Sequence, residues 1–263
     1  MNRILIVASL VLLFSDAAFA QRKKGGKKEE QPKTETPAPA PAPAAGPEVP
    51  KQDSVPAQPQ VSPFVNHFMV KYQVANQFGD YDVARDALYD IIVENPGVDS
   101  LLLMLQYNYL ENQKYTQAVL VGQTLLARDS RNESALEITA SSFEALGIKD
   151  KALNNYETLY LVSNSLLAIY KMAFLQYDLK KYPECVASTD IILSRKEADE
   201  VTATFPISQD KSKEFKLRVP ILNLKGMTAR EQGDKVSAKK YFEQALALAP
   251  DFQPAKENLA KLK

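Results

Sequence analysis

Gly79-Asp80-Tyr81-Asp82-Val83-Ala84, Asn112-Gln113-Lys114-Tyr115-Thr116-Gln117-Ala118 and Gly147-Ile148-Lys149-Asp150-Lys151-Ala152 end on alanines 34 residues apart. Each stretch lies between two amphipathic segments of helix length. A fixed period of this size marks a stacked array of helix pairs rather than one globular core. A fourth copy, Lys181-Tyr182-Pro183-Glu184-Cys185, follows 33 residues after the third, with Cys185 in the alanine's place. A fifth, Gly233-Asp234-Lys235-Val236-Ser237-Ala238, follows 53 residues after that. Gly or Asn with a neighbouring charge supplies the tight turn, because these residues tolerate positive φ and cap helices.

Packing explains the period. Small residues at fixed positions let helix backbones approach, and large residues one turn away fill the holes beside them. No pair buries its apolar face alone, so stacking is obligatory and the last unit needs a cap. Residues 253–263, rich in lysine, read as that capping helix.

The spacing and residue types resemble the tetratricopeptide repeat, in which helix A, a short turn and helix B are followed by a proline. The last copy matches best, with Leu222, Gly226, Ala238, Phe242, Ala245 and Pro250. The first gives Phe68, Tyr72, Ala75, Tyr81, Ala84, Leu88 and Pro96, and the third Leu136, Ala140, Phe143, Gly147, Ala152 and Tyr156. The second departs, since Gln106 replaces the small contact residue and Ser130 the proline; the fourth lacks the turn glycine. The resemblance covers about residues 65–252. It implies an all-α solenoid of about five helix pairs over residues 63–252, interrupted by one insertion.

That insertion, residues 198–218, changes the period from helical to alternating. Val201, Ala203, Phe205 and Ile207 alternate with polar residues or Pro206, as do Phe215, Leu217 and Val219 with Lys216 and Arg218. The polar run Ser208 to Lys213 lies between them. This predicts a β-hairpin with one apolar face laid on the helices and with Pro206 on an edge strand. The hairpin is expected to border the binding groove or to offer an edge to a partner strand.

The chain has 263 residues and a formal net charge of zero. Residues 1–20 have a basic start, an apolar run and Ala18-Phe19-Ala20, the layout of a cleavable secretory signal; the run is too short to span a bilayer. Residues 21–62 are Lys-, Pro- and Ala-rich and read as a disordered tether, a spacer whose basic knot makes at most a weak envelope contact. Export to a Gram-negative periplasm, or secretion, is the expected address. The charge balance gives no reason to expect nucleic acid. His67 is the sole histidine, which excludes a Ser-His-Asp triad and any multi-histidine metal site within one chain. No phosphate loop or metal-binding cysteine pair is present, and Cys185 occupies a packing position. No enzymatic activity, metal or cofactor is expected.

The resemblance places partner binding on the concave face lined by helix A of each unit. The matching positions are Met69, Gln73 and Asn76; Leu103, Tyr107 and Leu110; Glu137, Ser141 and Glu144; and Tyr170, Phe174 and Tyr177. The basic set with which some family members grip a peptide carboxylate is missing here. The expected ligand is a protein segment with apolar anchors and a basic residue opposite Glu137 and Glu144. The function expected is a non-catalytic adaptor or scaffold of the cell envelope. The alternative is a structural subunit that self-associates or holds one permanent partner.

Overall fold

The computed structural model describes residues 62–208 and 211–262. The signal and most of the tether expected from the sequence lie outside the described residues. Five helix pairs run along the chain: α1 (Pro63–Gln77) with α2 (Tyr81–Glu94), α3 (Asp99–Glu111) with α4 (Tyr115–Arg128), α5 (Glu133–Ala145) with α6 (Lys149–Ser163), α7 (Leu166–Asp178) with α8 (Tyr182–Ser194), and α9 (Arg218–Glu231) with α10 (Lys235–Leu248). A short helix α11 (Gln253–Ala260) ends the array, and strands β1 (Thr202–Ser208) and β2 (Lys211–Lys216) stand between α8 and α9.

The register residues Ala84, Ala118, Ala152, Cys185 and Ala238 are all fully buried. Five residues before each of them the backbone turns left-handed: Gly79, Gln113, Gly147, Lys180 and Gly233 have φ between 57° and 84°. The sequence points to Asn112 in the second turn, but Gln113 takes the strained position, and Lys180 takes it in the fourth. Helix starts are capped locally: Asp80 accepts from the Val83 N–H, Asn132 from Ala135, Ser165 from Ala168 and Asp234 from Ser237.

Contacts between helices follow chain order. Each helix packs on its neighbours in sequence, and α3 also reaches α5 and α7 also reaches α9. The core is accordingly strung along the array as clusters. One gathers Leu88, Leu105, Tyr109 and Ala118, and the next Leu136, Ala140, Phe143, Tyr156 and Leu175.

The insertion is an antiparallel hairpin in which Ala203 faces Phe215 and Phe205 faces Lys213. Strand β2 begins earlier than the polar run suggests, and Val219, read as a strand residue, lies in α9. The apolar face, with Ala203, Phe205, Phe215 and Leu217, is buried in the same cluster as Val219, Ile221 and Phe252. A 3-10 turn, Lys196–Asp199, precedes it, and Arg218 closes the base by donating to both Asp199 carboxylate oxygens, at 2.6 and 2.8 Å, and to the Leu193 carbonyl. Among the described residues no helix is long and apolar enough to cross a membrane.

Candidate partner-binding groove

In each unit the groove positions fall 15, 11 and 8 residues before the register residue, which puts them on one face of helix A. On α1, Gln73 is exposed and Met69 and Asn76 are half-buried. On α3, Leu103 and Leu110 are half-buried against the neighbouring core, and Tyr107 is 42% exposed. Partial burial raises the Tyr107 phenol's pKa above the usual value, and the Glu111 carboxylate adds to the effect. Tyr72 of α1 lies near enough to contribute, so α1 and α3 present adjoining aromatic rings.

On α5 the two acidic positions differ. Glu144 accepts from Lys171 of α7 at 3.1 Å on both oxygens, and from the Tyr156 hydroxyl at 3.2 Å. The Ser141 hydroxyl lies 3.0 Å from the same Tyr156 oxygen. Glu137 has no ion-pair partner among the described residues. Desolvation pushes its carboxyl pKa up, so it is the one groove carboxylate whose charge is left uncompensated.

Tyr170 does not belong to the open surface. It is 5% exposed and sits in the core cluster that holds Leu217, Val219 and Ile221, so the hairpin side of the fourth unit absorbs it. Burial pushes its phenol pKa well up, with the Glu144 charge adding to the shift. Phe174 is half-buried 4.9 Å from the Tyr170 ring, and Tyr177 is half-buried 6.0 Å from Tyr182. The structure therefore brings together Met69, Gln73, Leu103, Tyr107 and Glu137 as accessible groups, and makes Phe174 and Tyr177 a partly covered continuation.

Two groups escaped the sequence reading. Lys171 neutralises Glu144 from one residue outside the chosen register. The fifth unit supplies Asn223, Met227 and Arg230 at the same three positions, and α11 covers them. Asn258 of α11 donates to Asn223 at 3.0 Å and accepts from Arg230 at 3.2 Å. The register itself, extended one unit further, was the available signal. Cys185 is fully buried 3.3 Å from the Thr228 hydroxyl, and burial pushes its thiol pKa up, which makes it inert. Among the described residues no group of His, Cys, Asp and Glu is gathered to hold a metal ion.

An array of helix pairs with a continuous helix-A face is the architecture of tetratricopeptide-repeat solenoids, a fold used for protein–protein contact. The tetratricopeptide repeat family model matches residues 219–252, which are α9, α10 and the turn beyond. The chain carries a tetratricopeptide repeat there, and its solenoid is of that type throughout. MamA superimposes with a TM-score of 0.57 at 17% identity, over 75% of this chain and 94% of that one. A tetratricopeptide repeat protein from Parabacteroides merdae gives 0.59 at 20% identity, over 76% and 72%. YrrB, described as a TPR protein with an unusual peptide-binding site, gives 0.59 at 11% identity, over 76% and 91%. These likenesses establish the fold. No curated protein sequence matches the chain.

Proposed function

We propose that the protein is a non-catalytic adaptor that holds a segment of a partner protein along the groove of α1, α3 and α5. One observation carries this reading: Tyr107, exposed beside Leu103 and Met69, is followed along the array by the uncompensated carboxylate of Glu137. Tyrosine and methionine bury large area at low entropic cost, so they anchor; an unpaired carboxylate selects. The ligand is a segment with apolar side chains and one lysine or arginine placed to reach Glu137. Lys171 already satisfies Glu144, so a single basic residue suffices. The description of YrrB as peptide-binding supports the use of such a face in a solenoid of this type. The leader-like residues 1–20 and the proline-rich residues 21–62 point to the cell envelope as the place of work.

The test is a photo-crosslinking amino acid placed at Gln73 or Tyr107 of the full chain in its native cell, with Val236, 83% exposed, as the control position. A discrete adduct from Gln73 and Tyr107, lost with Glu137→Lys and absent from Val236, is the expected result. An adduct of the chain with itself would make the protein a self-associating subunit, and equal adducts from all positions would remove the groove assignment.

A further inference from the structure

The hairpin leaves one free strand edge with a cavity beside it. The Leu217 N–H donates to the Val201 carbonyl at 2.9 Å, so those two residues form a hydrogen-bonded pair. Antiparallel ladders alternate, and the register makes Ala203–Phe215 and Phe205–Lys213 the next bonded pairs. The backbone groups of Thr202, Thr204 and Pro206 therefore point away from the ladder on β1, and those of Ser212, Glu214 and Lys216 on β2. Pro206 has no N–H to offer, which blunts the β1 edge. The β2 edge has no such block. No backbone bond is made to Ser212, Glu214 or Lys216 from outside the hairpin among the described residues. Beside it lies a cavity of about 440 Å³ whose lining runs along β2 from Lys213 to Lys216 and whose far wall includes Val219, Leu248 and Pro250. No β1 residue lines it, so it opens on the β2 side.

We infer that this edge is a second docking site, which takes an extended acidic segment of a partner protein as an added strand. The charge selects the occupant. Strand β2 reads Lys211-Ser212-Lys213-Glu214-Phe215-Lys216, three lysines to one glutamate. Lysines on an edge repel a second copy of the same strand, a common guard against self-pairing, and they favour acidic chains. Lys213 is already held by Asp251 at 2.5 Å, and Asp199 is held by Arg218. Lys216 is exposed and has no ion-pair partner among the described residues. An incoming strand with alternating side chains would set its acidic residues beside Lys216 on the solvent face. Its apolar residues would then point into the cavity against Val219 and Leu248. This site is separate from the groove and does not depend on it.

The experiment uses the full chain and a fluorescent short peptide of alternating valine and glutamate, with a valine–lysine peptide as control. The expected result is saturable binding of the acidic peptide only. Glu214→Pro removes an outward N–H but no ladder bond, and should weaken binding by about tenfold. Lys216→Glu leaves the backbone intact and should weaken the acidic peptide and admit the basic one. If Glu214→Pro lowers the melting temperature of the hairpin region, Lys216→Glu decides alone. Binding should survive Tyr107→Glu, so that failure of the groove reading and failure of this one are distinguishable. The proposal is overturned if the wild type ignores the acidic peptide, or if neither edge variant changes its binding. It is also overturned if Tyr107→Glu abolishes binding, or if sedimentation shows a dimer that Glu214→Pro dissociates, which would give the edge to a second copy.

Discussion

Gln106 occupies the position, 12 residues before the register alanine, where the third and fifth units carry Ala140 and Gly226. The partner helix compensates. Four residues after the register alanine those units place Tyr156 and Phe242, whereas the second places Gly122. Bulk has moved from helix B to helix A and the total is kept, which is the kind of exchange cores tolerate. In the fifth unit a Cβ on Gly226 would stand 2.6 Å from Phe242 Cε1; in the second, one on Gly122 would fall on Thr139 Oγ1 and Gln106 Nε2. Gln106 is fully buried, donates to Thr139 at 2.9 Å and to the Ala135 carbonyl at 3.3 Å, and leaves its Oε1 without a partner. Gly122→Ala should therefore destabilise the chain by about 1–3 kcal/mol through overpacking. Adding Gln106→Ala should return much of that loss, because it vacates the volume and frees the Thr139 hydroxyl to turn. Urea midpoints of the two single variants and the double variant measure this, and strictly additive effects would refute the exchange. Glu137 gives a second prediction at this scale. Its carboxyl protonates more readily in the folded chain than in the unfolded one, so the wild type is most favoured when protonated. It loses that stability as pH rises from the ordinary carboxyl range through the raised folded pKa. Glu137→Gln should raise the urea midpoint at pH 7, with the gain shrinking to nothing below about pH 4. A pH-independent difference would mean that the carboxylate is solvated after all.

The inserted hairpin shows what an element adds to a repeat. A lone two-stranded sheet is marginal in water, so its apolar face must find a wall. The wall is the turn between α10 and α11. Phe252, fully buried, meets Phe205 at 5.3 Å and Phe215 at 4.9 Å, both edge to face. Lys213 to Asp251 closes the same contact from outside. Phe252→Ala should cost about 3–5 kcal/mol, and its signature is local. Amide exchange should quicken in β1, β2 and α11 together while α3 to α6 keep their protection; unchanged exchange in the strands would mean the hairpin stands without this ring. The alternation of Val201, Ala203 and Phe205 made the hairpin legible, since period two is a property of neighbouring residues. Its packing on Phe252 was not legible, because nothing local records which distant ring fills the face. Tyr170 failed for the same reason. Its register position matches those of Met69 and Leu103, but the insertion brings Leu217 and Val219 over it. The five units themselves were readable because small residues at close backbone contacts leave no freedom of register. The groove was readable only as a set of positions, and solvent exposure along it depends on what the next unit covers.

At the scale of the whole molecule the two ends of the array are unlike. At the C-terminal end α11 acts as a half unit: Asn258 ties Asn223 and Arg230, and Leu259 and Leu262 pack over Ala229, Ala238 and Phe242. At the start of the described residues α1 leaves Phe64, Val70, Val74 and Phe78 exposed. Because helices touch mainly their sequence neighbours, stability in such an array is close to a sum of unit and interface contributions. Damage at one end should stay there. A chain ending at Phe252 keeps the aromatic contact with the hairpin but removes α11. The buried faces of α9 and α10 are then wetted, and their local opening free energy should fall by about 2–3 kcal/mol, the worth of one or two buried aliphatic side chains. Amide exchange should show protection lost in α9 and α10 first, diminishing through α8 and absent from α3 and α4. The polar triad of Asn223, Asn258 and Arg230 sharpens the expectation, since removing one member strands the others without partners. A uniform loss of protection from α2 to α10 would mean instead that the five units unfold as one, with α11 as a condition for the entire array.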